Sequence, residues 1–268
     1  MKLTVLVDNN TFIDKYFYGE PALSYYIEDE ETKLLFDAGY SDLFIKNALQ
    51  LDIDLSQLSA VVISHGHEDH TGGLPHFLNK YNMRSMKIVA HPEAFCDKIL
   101  DGMHIGSPIE DNELRKCCDL QLTATPVQLS KNMIFLGEIP PSNGFEVRKA
   151  IGKRKKDNGY VDDFVKEDSA LVYHTGAGIY IVTGCSRSGI CNIIEYAKKV
   201  CACNNVAGVI GGFHLFEKNC QLQETINYFL KNDIQKLYPC HCVSLAAKTE
   251  ISRHIPVNEV GVGMEIVW

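Results

Sequence analysis

Short runs of consecutive apolar, mostly β-branched residues recur along the chain: Leu3 to Val7, Leu34 to Phe36, Ala60 to Ser64, Lys87 to Ala90, Ala170 to Tyr173, Ile179 to Thr183 and Val206 to Ile210. Apolar residues at successive positions, rather than alternate ones, predict strands buried on both faces. Leu23 to Ile27 and Lys33 to Phe36 flank the polar stretch Glu28 to Thr32 and predict a hairpin. Between the strands the period changes. Ser41 is placed to cap a helix carrying Leu43, Phe44, Ala48 and Leu49, and Ser188 to Val200 carries Ile190, Ile193, Ile194 and Ala197 at helical spacing. Gln221 to Leu230 and Ser244 to Ile251 read as two further helices. Strands and helices mixed in this order predict an α/β (α+β) layered domain.

There is no internal repeat and no low-complexity linker, so the expectation is one domain over 1–268. The segment from about 138 to 168 stands apart. It holds Pro140-Pro141, Asn143-Gly144, the run Lys153-Arg154-Lys155-Lys156, Asn158-Gly159 and Asp162-Asp163. A polar, turn-rich excursion of this length predicts either a lid or binding loop or a solvated insertion.

Composition narrows the class. With 46% hydrophobic residues, 22% charged residues and a net charge of -8, the chain has ordinary globular composition and no excess of basic residues for a nucleic-acid partner. No apolar run approaches the roughly 20 residues that span a bilayer. The short apolar start, Met1 to Val7, is ended by Asp8 and lacks the plan of a signal peptide, so a cytoplasmic location is expected. The ten cysteines then read as reduced thiols. Cys117-Cys118 and Cys201-Ala202-Cys203 lack partner pairs at zinc-ribbon spacing.

The chemistry concentrates in Ser64-His65-Gly66-His67-Glu68-Asp69-His70-Thr71-Gly72-Gly73, directly after an expected strand. Three imidazoles and a carboxylate within six positions is the density of a metal site. His65 and His67, two apart, can face one ion, and Asp69 and His70 fall in the following turn and can face a second. Gly66, Gly72 and Gly73 let the backbone turn tightly. His214 follows Gly211-Gly212 at a strand end, where it can bind substrate or donate a proton. His91 has a weaker claim, since His91-Pro92 can simply close a strand, and His76, His104, His174 and His254 read as structural or exposed.

The His65-x-His67-x-Asp69-His70 motif resembles the signature of the metallo-β-lactamase superfamily. That resemblance implies a four-layer αβ/βα sandwich, with His65 and His67 on one metal and Asp69 and His70 on the other. Val7-Asp8-Asn9-Asn10, Leu136-Gly137-Glu138-Ile139-Pro140, Glu167-Asp168-Ser169-Ala170-Leu171, Thr183-Gly184-Cys185-Ser186, Ile210-Gly211-Gly212-Phe213-His214-Leu215 and Pro239-Cys240-His241-Cys242 extend it. Together they are similar to a narrower group that resembles dihydropterin ribofuranosyl-aminobenzene phosphate synthase. The resemblance adds His241 as the last ligand of the second metal and Cys185 at the position of a bridging carboxylate or thiolate. One departure stands out: related sequences read Gly-Cys-Ser-His, where this chain has Gly184-Cys185-Ser186-Arg187. A guanidinium cannot ligate a metal. It suits a carboxylate or phosphate of a substrate instead.

The resemblance implies a hydrolase carrying one or two divalent ions, zinc first, with iron or manganese as alternatives. A bound water whose pKa falls from about 15.7 to about 7 attacks a carbonyl or phosphorus. Asp69 orients it, and Arg187 neutralises an anionic, phosphorylated or carboxylated small molecule. The rival readings are a pterin-related transferase or synthase and a non-catalytic metal or ligand binder. A small-molecule partner is expected, with no nucleic acid and no membrane, and exposed sheet edges leave room for a homodimer.

Overall fold

The computed structural model describes residues 1–81 and 86–268. Each of the apolar runs contains a strand, although the one expected over Ala60 to Ser64 ends at Val62. In chain order, β1 (Lys2–Val7) precedes the hairpin of β2 (Ser24–Asp29) and β3 (Thr32–Phe36), then α1 (Leu43–Gln50), β4 (Ala60–Val62), α2 (Glu68–Thr71), α3 (Leu74–Lys80) and β5 (Lys87–Ala90). Next come β6 (Lys98–Leu100), β7 (Met103–His104), α4 (Asp111–Cys117), β8 (Asp119–Leu122), β9 (Val127–Gln128), β10 (Met133–Phe135) and a second hairpin, β11 (Lys153–Lys156) with β12 (Gly159–Asp162). The chain continues through β13 (Ala170–Thr175), β14 (Gly178–Thr183), α5 (Ile190–Cys201) and β15 (Val206–Gly211). It ends with α6 (Cys220–Lys231), β16 (Leu237–Pro239), α7 (Leu245–Ser252) and β17 (Glu265–Val267).

The chain divides into two compact units, 1–124 with 149–167 and 261–268, and 125–148 with 168–260. The first unit carries a seven-stranded sheet in the order β17-β1-β2-β3-β4-β5-β8, in which β3, β4, β5 and β8 run parallel. Val61 and Ile88 of this sheet, with Ile63 just beyond β4, pack in one cluster with Phe44 of α1 and Phe77 of α3, whose rings lie 6.0 Å apart. Each such side chain contributes about 1.5–3 kcal/mol when fully buried. The expected helix after Ser41 is α1, and Ser41 Oγ accepts the Leu43 N–H at 3.3 Å.

The polar excursion is not a plain loop. Residues 138–148 belong to the second unit and 149–167 to the first. Within it, the basic run forms β11, which pairs with β12 and with β6 in a four-stranded sheet of order β12-β11-β6-β7. Asp157, at φ 50°, and Asn158 make the two-residue turn between paired Lys156 and Gly159. Lys98, from β6, is wholly buried and bridges Asp163 at 2.6 Å and Glu167 at 2.7 Å, stapling the hairpin's return to β6. Burial works against the Lys98 ammonium, but the charges of Glu167 and Asp163 outweigh it and hold the pKa above the ordinary lysine value.

The second unit has a six-stranded sheet, β16-β15-β14-β13-β10-β9, with β14, β15 and β16 parallel. The apolar faces of α5 (Ile190, Ile193, Ile194) and α6 (Leu222, Ile226, Phe229) bury against Ile181 and Val209 of this sheet. The N-terminus of α5 is closed by Glu146, whose carboxylate accepts the backbone N–H of Cys191 and of Asn192, both at 2.9 Å. Among the described residues, no helix is long and apolar enough to cross a membrane.

Candidate metal centre

In the first unit the site begins where β4 ends. Parallel strands β3, β4 and β5 direct their carboxyl ends to one side of the sheet, the place where open α/β sheets bind ligands. The chain leaves β4 through Ile63 and Ser64 and turns through His65, Gly66 and His67 into α2, which carries Asp69 and His70. The path needs glycine at Gly66 and Gly73: a Cβ would lie 2.0 Å from the Ala94 carbonyl oxygen at the first and 2.0 Å from that of Ala38 at the second. His65, His67 and His70 are buried, and the Asp69 side chain is partly exposed.

His65 Nε2 lies 3.1 Å from His67 Nδ1, and the ligand atoms of His65, His67 and Asp69 are all within 4.8 Å of one another. Asp37, at the end of β3, organises the other side of the cluster. Its Oδ2 lies 2.6 Å from His70 Nδ1 and accepts Ser64 Oγ at 2.7 Å, and its Oδ1 accepts the Ser64 backbone N–H at 2.7 Å. A carboxylate only accepts, so His70 Nδ1 carries a proton toward Asp37, while Nε2 lies 3.4 Å from Asp69 Oδ2, a pair that a cation would join with the Nε2 lone pair as ligand. Ser64 Oγ, donating to Asp37, can accept from His65 Nδ1 at 3.1 Å, which leaves His65 Nε2 as a lone pair aimed at His67 Nδ1. Two ring nitrogens at that separation require a proton or a cation between them. Nitrogens about 2.0–2.1 Å from one tetrahedral ion sit about 3.4 Å apart, so the donor set fits a divalent metal.

The neighbouring Glu68 carboxyl is pushed above the usual carboxylate range by burial and by the charge of Asp69. It opens onto a cavity of about 590 Å³ whose wall includes Phe95, Asp97, His104 and Glu110. His104 Nδ1 meets Asp97 at 2.9 Å, and His91 Nδ1 accepts the Glu93 N–H at 3.1 Å, which closes β5.

The second unit brings three further expected residues to the carboxyl ends of its own parallel strands: Cys185 after β14, His214 after β15 and His241 after β16. His241 Nε2 lies 3.2 Å from Cys185 Sγ, and the Cys242 thiol donates to the Cys185 carbonyl at 3.4 Å. A Cβ on Gly212 would meet Cys242 Sγ at 2.4 Å and the Gly184 carbonyl oxygen at 2.6 Å, so glycine permits this packing. Ser186, His214 and His241 all hold left-handed backbone (φ 52°, 51° and 50°). For non-glycine residues each costs about 1–3 kcal/mol, and such residues cluster at functional sites. Arg187 Nη1 lies 3.2 Å from His214 Nε2. A guanidinium only donates, so in this arrangement His214 is the neutral tautomer with its proton on Nδ1.

Sequence reasoning missed Asp37 and gave Ser64, the first residue of the motif segment, no role. The signal was an aspartate directly after the apolar run Leu34 to Phe36 and before Ala38-Gly39, a charge at the carboxyl end of an expected buried strand.

The sequence model of the metallo-β-lactamase superfamily matches residues 18–196. The chain is 33% identical over 253 residues to the uncharacterized protein MJ0448 of Methanocaldococcus jannaschii, covering 94% of each chain. It is 30% identical over 264 residues to the 7,8-dihydropterin-6-methyl-4-(beta-D-ribofuranosyl)-aminobenzene-5'-phosphate synthase of the same organism, covering 92% of this chain and 89% of that one. Among solved structures it is similar to Tm1679, described as a metal-dependent hydrolase of the β-lactamase superfamily. The TM-score is 0.84 at 26% identity, over 100% of this chain and 99% of that one. The expected α/β fold and the expected family are thus both found: the chain belongs to the metallo-β-lactamase superfamily.

Proposed function

We propose that the chain is a metal-dependent hydrolase of an anionic small molecule. The observation that carries this reading is the convergence of His65, His67 and Asp69, with His70 held in its ligating tautomer by Asp37. His65, His67 and Asp69 would hold one ion. As the family resemblance implies, Asp69 and His70 would serve a second. A divalent ion there supplies Lewis acidity and a water ionised near neutral pH.

The chain's own residues do the rest. Asp69, partly exposed, accepts a hydrogen bond from the attacking water and fixes its direction. Asp37 and Ser64 hold the imidazoles so that their lone pairs need no reorganisation. Arg187 neutralises a phosphate or carboxylate of the substrate, for which the forked, permanently charged guanidinium is suited. His214, neutral beside Arg187, accepts a hydrogen bond through Nε2 and leaves the positive charge of the pair on the guanidinium.

The test is turnover of a panel of phosphomonoesters, phosphodiesters and carboxylate esters by protein reconstituted with zinc, manganese or iron(II). His67→Ala should abolish turnover while the melting temperature of the metal-free protein stays put. Full activity in that variant overturns the reading. The synthase relative favours a second reading, group transfer to an acceptor on the same site. Product analysis with and without a nucleophilic acceptor separates the two.

A further inference from the structure

Arg187 sits in a turn that is held far more firmly than a surface turn needs. The turn joins β14 to α5 through Ser186, Arg187, Ser188 and Gly189, with Ser186 at φ 52° and Gly189 at φ 94°. Ser186 Oγ donates to the Gly212 carbonyl at 2.6 Å, and the Gly189 N–H closes the turn on the Ser186 carbonyl at 2.9 Å. The other side is fixed by Asp168, a wholly buried carboxylate two residues before β13. Asp168 Oδ2 accepts the Ser188 backbone N–H at 2.8 Å, and the Asp168 carbonyl accepts Ser188 Oγ at 3.3 Å. Arg148 Nη2 donates to Ser188 Oγ at 2.7 Å and to the Ile139 carbonyl at 2.9 Å, so the serine is gripped from both sides.

A buried carboxylate is an expensive way to hold a turn. Burial raises the Asp168 pKa, and the N–H and hydroxyl of Ser188, the charge of Arg148 and the Arg187 backbone N–H only partly oppose it. A neutral acceptor would satisfy the same N–H groups at lower desolvation cost. What the carboxylate adds is stiffness, through charge-assisted bonds to the backbone of the residue next to Arg187. The side chain thus anchored ends beside His214, so that the guanidinium is fixed at both its backbone and its tip.

We infer that Asp168 is a positioning residue: it locks the Ser186–Ser188 turn so that the Arg187 guanidinium is pre-aimed at the anionic group of the substrate. The inference rests on the reading of Arg187 as the anion-binding residue. Preorganisation of this kind raises affinity by removing the cost of ordering a flexible arginine, without adding a contact.

The test is a double-mutant cycle read by calorimetric titration of inorganic phosphate into the metal-loaded protein, with amide hydrogen exchange at residues 186–189 followed alongside. Arg187→Ala should weaken phosphate binding about tenfold or more. Asp168→Ala should weaken it by about tenfold, and the isosteric Asp168→Asn, which keeps one acceptor and the shape of the site, by about threefold with faster exchange at 186–189. In the Arg187→Ala background neither Asp168 change should weaken binding further, because the residue acts only through the arginine. A purely structural role predicts losses that persist in that background, and this outcome overturns the inference, as does wild-type affinity in both Asp168 variants. Should Asp168→Ala fail to fold, the cycle with Asp168→Asn still decides. Wild-type affinity in Arg187→Ala overturns the anion-binding reading and the inference with it, whereas loss in Arg187→Ala with none in Asp168→Asn sinks the inference alone.

Discussion

Asp37 lies 33 positions from His70 in sequence, yet it decides which nitrogen of that ring can bind a metal. Removing its charge leaves the imidazole in place but frees it to rotate or change tautomer. Asp37→Asn should therefore lower metal affinity about 10–100-fold, the usual cost of losing a partner behind a ligating histidine. Competition against a metallochromic chelator measures it, and an unchanged dissociation constant would show that His70 is oriented by something else. Gly66 makes a different kind of demand. With a Cβ only 2.0 Å from the Ala94 carbonyl oxygen, Gly66→Ala must displace backbone in a packed region and should cost about 2–3 kcal/mol or more in urea unfolding. At this scale the sequence showed what is local. His65, His67, Asp69 and His70 fall within six positions and betray themselves by density. Asp37 and Asp168 are single carboxylates whose partners come from other elements, and no spacing rule reaches them.

The elements add constraints that no single residue carries. The β11–β12 hairpin escapes a pattern-based reading because both faces of β11 are polar: Lys153, Lys155 and Lys156 are exposed and only Arg154 is partly covered, reaching Glu93 at 3.0 Å. Without apolar alternation the strand looks like a charged loop. What fixes it is the buried Lys98 on β6, and Lys98→Met should cost about 3–5 kcal/mol by leaving Asp163 and Glu167 buried without their counter-charge. Replacing all three with apolar residues should recover much of that loss, and no recovery would mean that the hairpin depends on the charges themselves. At the start of α5, Glu146 makes a prediction about pH. Burial pushes its pKa up, with the N–H of Cys191, the Asn143 side chain and the N–H of Asn192 opposing. The folded chain therefore binds this proton more tightly than the unfolded chain does. Its stability contribution is most favourable below the ordinary glutamate pKa and falls as pH rises from that value through the raised one. Glu146→Gln has no such titration. The stability advantage of wild type over the variant should be larger at pH 5 than at pH 8 by urea unfolding, and the reverse order would contradict the cause assigned to the shift.

For the whole molecule, family membership and fold are fixed more firmly than the metal inventory, and the reason is chemical. A fold is specified by dozens of buried positions, whereas an ion's occupancy turns on one ligand. Where the family resemblance implies Gly-Cys-Ser-His, this chain reads Gly184-Cys185-Ser186-Arg187, a cation that also repels a metal in place of an imidazole. If arginine took over a ligand's place in order to hold substrate, the protein should bind one ion tightly and another weakly. Elemental analysis of anaerobically purified protein after dialysis against a mild chelator should then give about one ion per chain. Arg187→His should raise the figure towards two and weaken phosphate binding. Each retained ion should also stabilise the fold, by about 2.7 kcal/mol at a hundredfold excess over its dissociation constant, so the variant's melting temperature should rise further on metal addition than wild type's. Two tightly held ions in the wild type, with no gain in Arg187→His, would mean that another group already supplies the missing ligand. In that case the guanidinium is an addition to the binuclear centre and not a replacement for part of it.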